Sequence, residues 1–328
     1  LSYLPEALEG PWDPPLHEYP DSTYAELAEA AADYVGARPE EILVGCGAGE
    51  VLDIIAKTYL APGLRSVVPV PTYSMYAVLT GQRDAELVSV PRKGAEELYA
   101  LDVEAMIAAL PGAGAVWLCV PNNPTGTPET REDLLAILDA GAVLPHGGPA
   151  VVVDEAYIEF NGVSLVELRE RYPALIVVRT LSKAFAMTGL RVGYCVAARK
   201  TIEQLERVRP PGSLNTLSAK AAARALRQPE IAAANAAALA VEREWLAAQL
   251  TDAGLPPTPS VTNFLLCRIG SPSTADALNE ALLRGGIVVR TFGPDSPLAG
   301  HLRFTVRNRE QNERFLNVIE AWTAGRSA

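Results

Sequence analysis

The sequence predicts an α/β protein with a large, mainly parallel sheet covered by helices, followed by a smaller α+β unit. Two observations carry this. From Tyr24 onward, short runs rich in valine and isoleucine alternate with helix-like segments, the arrangement expected of parallel strands buried on both faces and joined by crossover helices. After "RVGYCVA" (191–197) the composition turns to alanine-rich helix, and strand-like runs return only near the C-terminal end.

Residues 1–20 hold Pro5, Pro11, Pro14, Pro15 and Pro20 and read as an extended arm, since proline fixes φ and removes a donor. "TYAELAEAAADYVG" reads as a helix closed by Gly36. The runs "EILVG", "SVVPV", "ELVSV", "AVWLCV", "AVVVDEA" and "LIVVR" read as strands, with "EVLDIIAKTYL", "SMYAVLTG", "VEAMIAAL" and "REDLLAILDAG" as helices between them. "LSAKAAARAL" and "EIAAANAAALAVEREWLAAQL" are helices separated at Pro229. "TNFLLCRI", "GIVVRTF" and "HLRFTVR" are strands, and "EQNERFLNVIEAW" is a closing helix. The expected division is an arm over 1–23, a large domain over 24–220 and a small domain over 221–328.

Composition narrows the function. The 328 residues are 49% hydrophobic and 20% charged, as in a globular chain able to bury a large core. Acidic residues outnumber basic ones 39 to 28, a net charge of −11 that repels nucleic-acid backbones and anionic lipid surfaces. No apolar run approaches the roughly 20 residues of a membrane span. The start "LSYLPEALEGPWDPP" lacks a basic region followed by an apolar core, so a cytoplasmic location is expected. Cys46, Cys119, Cys195 and Cys267 show no CxxC spacing, and His17, His146 and His301 are dispersed, which argues for reduced thiols and against a metal cluster.

Several residues stand where open α/β sheets bind ligands, at the carboxyl ends of strands. Lys183 follows "LIVVR" in "RTLSKAFAMTGLRVGY"; there it is either a surface lysine or a nucleophilic amine. "GCGAGE" joins a strand to a helix, so its N–H groups either cradle an anion or make a plain turn. Its glycines do not fit G-x-G-x-x-G, which disfavours a dinucleotide. Asn123 in "VPNNPTG" is a turn former or directs its amide at a ligand. Asp154 ends a buried strand and so requires a partner, either an arginine or a protonated ring nitrogen. Tyr73 offers an aromatic face and Arg191 a charge for phosphate. Lysine, carboxylate, anion nest and aromatic face are together what an aldehyde cofactor with a phosphate and a pyridine ring needs.

The ordered series "PTYSMY", "PNNPTG", "VVDEAYIEF", "RTLSKAFAMTGLRVGY" and "LRFTVR" resembles the fold-type I pyridoxal-phosphate aminotransferases, from about Tyr19 to Trp322. The resemblance implies pyridoxal 5'-phosphate as cofactor, with Lys183, Asp154 and Tyr73 as the catalytic set. It gives the phosphate to Ala48, Gly49, Thr180, Ser182 and Arg191, the ring's phenolic oxygen to Asn123 and Tyr157, and the substrate carboxylate or its counterpart to Arg303. Tyr19 would reach the cofactor phosphate of a second subunit, implying a homodimer with shared sites. The partners are then a small-molecule amino donor and an oxo acceptor, with histidinol phosphate and 2-oxoglutarate the favoured pair. Alternatives are transamination of aromatic or other amino acids, decarboxylation of a phosphothreonine-type substrate, and a catalytically silent protein on the same fold. Three departures are visible: Gly49 stands where relatives often carry an acidic residue, no "NENP"-like segment follows "YLPE", and the loop "RPPGSLNTLS" (209–218) falls where relatives vary.

Overall fold

The computed structural model describes residues 17–327; most of the expected proline-rich arm lies outside the described residues. The large unit runs α1 (Ala25–Val35), β1 (Ile42–Gly45), α2 (Gly47–Tyr59), β2 (Arg65–Val70), α3 (Met75–Gln82), β3 (Glu86–Pro91), α4 (Val103–Ala109), β4 (Ala113–Cys119) and α5 (Arg131–Ala142). It continues with β5 (Ala150–Asp154), the single turn α6 (Ile158–Asn161), β6 (Leu175–Thr180), β7 (Gly193–Ala197), α7 (Arg199–Glu206) and α8 (Thr216–Leu226). The long helix α9 (Pro229–Asp252) leads to β8 (Pro257–Thr258), β9 (Phe264–Arg268), α10 (Pro272–Arg284), β10 (Arg290–Thr291), β11 (His301–Thr305) and α11 (Arg309–Ser327).

Local chemistry sets many of these boundaries. α1 ends at Gly36, whose φ of 70° is the left-handed cap glycine adopts without a side-chain clash. Asp102, Thr130, Asn215 and Ser271 cap α4, α5, α8 and α10 by accepting a backbone N–H through the side chain. Pro229 begins α9, where its missing N–H costs nothing.

The seven-stranded sheet has the order β1-β7-β6-β5-β4-β2-β3. All neighbours are parallel except β7, which runs antiparallel to both β1 and β6. β5 and β6 are buried along their whole length, and their side chains alternate between two cores. Val151, Val153 and Val177 enter the core that contains α1 and α8, whereas Val152, Ile176 and Val178 join Trp117 and the apolar face of α2. This period of two is why the strands read as unbroken apolar runs.

The small sheet has the order β10-β11-β9-β8 and is antiparallel throughout. Its core joins Leu265, Cys267, Leu302 and Phe304 to α9, α10 and α11. The boundary expected between residues 220 and 221 falls inside α8, yet Ala221–Ala223, Ala225, Leu226 and Ala232 pack in the large-unit core. The small-unit core begins only at Leu239, so the changeover lies along α9. The strand expected over "GIVVRTF" contracts to Arg290–Thr291, an edge pairing only with β11, and leaves Val288 83% exposed.

Candidate active site

A cleft of about 720 Å³ opens at the carboxyl ends of the central strands and reaches the small sheet. It brings together Ala48, Gly49, Tyr73, Asn123, Asp154, Tyr157, Thr180, Ser182, Lys183, Arg191 and Arg303. Of the expected site residues, Tyr19 alone does not line it; that side chain is 97% exposed.

One end of the cleft is built for an anion. α2 begins at Gly47, whose φ of +81° suits glycine, and a Cβ there would meet Arg191 Nη2 at 2.7 Å. A Cβ on Gly193 would lie 2.3 Å from the Ala48 nitrogen, so β7 approaches the helix start only because this residue is glycine. Arg191 Nη1 lies 3.1 Å from the Thr188 carbonyl and 3.4 Å from Ser182 Oγ. Thr180 Oγ1 sits 3.1 Å from the same Ser182 hydroxyl. Helix start, guanidinium and hydroxyls therefore converge on one place, a donor set that fits a phosphate. Glu50 holds the entrance of α2 by accepting from the Cys46 N–H at 2.6 Å and from Ser213 Oγ at 2.7 Å.

The other end is built around Asp154. Its Oδ2 accepts from the Tyr76 hydroxyl at 2.8 Å and its Oδ1 from the Ala156 N–H at 3.1 Å. Tyr76 stacks on Trp117 with ring centres 5.4 Å apart, and Trp117 Nε1 donates to Ser66 Oγ at 2.9 Å. Tyr73 meets Tyr76 edge-on at 5.5 Å. Burial raises the Asp154 carboxyl above its ordinary pKa, against the hydrogen bonds from Tyr76 and Ala156. No arginine or lysine forms an ion pair with it among the described residues. A buried carboxylate so placed fits a cationic ring nitrogen, the second of the two partners open to it.

Lys183 lies between these ends, its Nζ 5.2 Å from the centre of the Tyr157 ring. Burial first, then Arg303, lower its pKa, with Asp154 pulling the other way; the shift favours the neutral, nucleophilic amine. Asn122 spends its amide on Pro71 and Thr125 and accepts from Thr72, which leaves Asn123 facing the cleft. Asn123 Oδ1 accepts from Arg303 Nη1. The Arg303 guanidinium lies 4.7 Å over the Phe264 ring, with Nε buried and unpartnered.

Two further residues belong to the site. Tyr76 was visible only as part of "PTYSMY"; its bond to Asp154 joins positions far apart in the chain. Arg290 lines the cleft and stands opposite Arg303 in the β10–β11 register, so both guanidiniums leave the same face of the sheet. The signal for it was an arginine at the end of the apolar run "GIVV" next to a second arginine-bearing strand.

Comparison with known proteins agrees with this geometry. The sequence model of the family described as aminotransferase class I and II matches residues 12–319. The chain belongs to the aminotransferase class I and II family. It is similar to the histidinol-phosphate aminotransferase of Roseiflexus castenholzii, 36% identical over 307 residues that span 92% of this chain and 80% of the relative. The enzyme of the same name from Symbiobacterium thermophilum is 38% identical over 309 residues, 93% of this chain and 82% of the relative. Among solved structures, the histidinol-phosphate aminotransferase of Sinorhizobium meliloti in complex with pyridoxal-5'-phosphate superposes with a TM-score of 0.87 at 26% identity, over 94% of this chain and 84% of that one. This aminotransferase is thus a fold-type I enzyme dependent on pyridoxal phosphate, as the motif series implies. Among its described residues no helix is long and apolar enough to cross a membrane.

Proposed function

We propose that the enzyme transfers the amino group of histidinol phosphate to 2-oxoglutarate, giving imidazole acetol phosphate and glutamate. The observation that carries this is the pair Arg290 and Arg303 on one face of the small sheet, lining a cleft whose other arginine belongs to the phosphate cradle. Two guanidiniums suit a phosphate monoester dianion, and Arg303 alone suits a carboxylate, so one site accepts both substrates in turn. The names of the similar enzymes support the same reading.

When bound, pyridoxal phosphate supplies the aldehyde that takes up the amino group and the cationic ring that draws electrons from the substrate. The chain supplies the rest. Lys183 would hold the cofactor covalently and move the proton at the substrate α-carbon. Asp154 would keep the ring nitrogen protonated, with Tyr76 holding that carboxylate in place. Asn123 and Tyr157 would bond the phenolic oxygen, and Tyr73 would offer an aromatic face to the ring. Ala48, Gly49, Thr180, Ser182 and Arg191 would hold the phosphate.

The substrate is tested by single-turnover reaction with glutamate, histidinol phosphate, phenylalanine and phosphothreonine, following loss of the aldehyde-form absorbance. Wild type should convert histidinol phosphate and glutamate efficiently. Arg303→Lys should slow both by about tenfold or more, because lysine lacks the planar fork that bonds two oxygens. Preference for phenylalanine with histidinol phosphate inert would overturn the substrate while leaving the transaminase class intact. Carbon dioxide released from phosphothreonine, with the aldehyde-form absorbance retained, would identify the other phosphate-ester chemistry.

The exposed Tyr19 supports a homodimer in which this side chain completes the neighbouring cleft, since it reaches nothing in its own. Mixing inactive Lys183→Ala subunits with impaired Tyr19→Phe subunits should restore activity, because one of the two sites in each mixed dimer is then intact. Verified heterodimers that recover nothing would refute sharing. Four unpaired cysteines, three of them buried, suit the reducing cytoplasm in which we place the enzyme.

A further inference from the structure

Behind the cleft, on the reverse side of the β5 and β6 strand ends, lies a buried charged cluster that the proposed chemistry does not use. Successive strand residues face opposite sides. Asp154 and Thr180 line the cleft, so Glu155 and Arg179 turn away from it. Arg179 Nε lies 2.7 Å from Glu155 Oε2, and Nη1 lies 3.6 Å from Glu159 Oε1. The first is an ion pair rather than a directed hydrogen bond. Arg179 Nη2 donates to Ser164 Oγ at 2.9 Å, and that hydroxyl donates to Glu155 Oε2 at 2.9 Å. The Leu165 N–H completes Glu155 at 2.8 Å. The three charged side chains are 8%, 0% and 8% exposed for Arg179, Glu155 and Glu159.

The cluster also reaches the loop that carries the lysine. Tyr34 donates to Glu159 Oε1 at 3.4 Å, and its ring meets Phe185 edge-on at 5.5 Å. Ala184, beside Lys183, is held by the Asn235 amide, which donates to its carbonyl at 2.7 Å.

Buried ion pairs of this kind contribute little net stability, since desolvation consumes most of the attraction and well-packed apolar side chains do as well. What apolar side chains lack is direction. We propose that Arg179 is a positioning residue for amino transfer. By joining Glu155, Glu159 and Ser164, it clamps the strand end bearing Asp154 and Tyr157 to the one bearing Thr180, Ser182 and Lys183. It touches neither cofactor nor substrate and acts through the spacing of Asp154 and Lys183. The guanidinium reaches three groups at once from three nitrogens, whereas a lysine in its place satisfies one carboxylate.

The test begins on cofactor-free protein, whose behaviour does not depend on which substrate is correct; failure of the substrate panel and failure of this proposal are therefore separate results. The protein is acylated with acetic anhydride across a pH series, and modification of the Lys183 peptide is quantified by mass spectrometry. Besides burial, Arg303 and Arg191 lower the ionisation midpoint of Lys183, and Asp154 and Cys119 raise it. In folded Arg179→Lys, Asp154 is no longer held against the lysine loop, and the midpoint should fall below that of wild type. In the holoenzyme the same variant should lose about tenfold or more in kcat with little change in KM, the scale expected for displaced reacting groups. Placed on Asp154→Asn, it should cost little more, because the spacing it protects no longer matters. A wild-type midpoint in the folded variant, or losses that simply multiply in the double variant, would overturn the proposal and leave the cluster a packing feature. Should Arg179→Lys not fold, Glu155→Gln keeps the side-chain shape and the bond from Leu165, and is judged by the same two readouts.

Discussion

Lys183→Ala is expected to lower amino transfer by about 10⁴-fold, the upper range for removing a positioned acid–base group. On the proposed roles, two functions would be lost together: the covalent hold on the cofactor and the proton carried at the substrate α-carbon. In wild type, borohydride reduction should fix the cofactor to the peptide containing Lys183, and in the variant to none. Label on another lysine would sink the assignment. The surroundings favour this residue, since burial and the nearby Arg303 push its pKa down. The neutral amine fraction is therefore larger near neutral pH than for an exposed lysine.

The second large effect is expected at Asp154. Asp154→Asn should retain cofactor, because the phosphate cradle and Lys183 are untouched, yet lose more than about a hundredfold in turnover. That corresponds to roughly 3 kcal/mol of barrier, the scale of one preorganised electrostatic contact. The amide oxygen can still accept from the Ala156 N–H, and the Tyr76 hydroxyl can turn to accept from the amide NH2, so folding should survive. Near-normal turnover would mean that the carboxylate serves only those two hydrogen bonds. The sign of its pH dependence follows from burial, which raises the carboxyl pKa. Cofactor-free protein therefore loses this charge earlier during acidification than an exposed aspartate does, and a ring cation beside it shifts the loss to lower pH.

Much of this site was legible in the sequence because its residues sit at strand ends, and strand ends are marked by where an apolar run stops. Lys183, Asp154, Asn123 and the glycine-rich start of α2 were all found that way, and the structure gathers them in one cleft. Tyr76 and Arg290 escaped because what makes them functional is a partner distant in sequence: Asp154 for one, Arg303 across a strand pair for the other. The Glu155–Arg179 pair escaped for a different reason. Adjacent residues on a strand serve opposite faces, and attention to Asp154 and Thr180 hid what their neighbours do behind them. Alanine-rich helices give no sign in the sequence of which core they cover; α8 and the first turn of α9 pack in the core of the large sheet.

The stack of Tyr76 on Trp117 gives the enzyme an optical reporter of its own. Trp117 is fully buried, its indole N–H is tied to Ser66, and one hydrogen bond beyond its stacking partner lies Asp154. Its emission therefore arises from a rigid, dry environment beside the reacting centre. A bound cofactor that absorbs in the near ultraviolet should quench that emission by energy transfer, so filling and emptying of the cleft should register as changes in intrinsic fluorescence without an added dye.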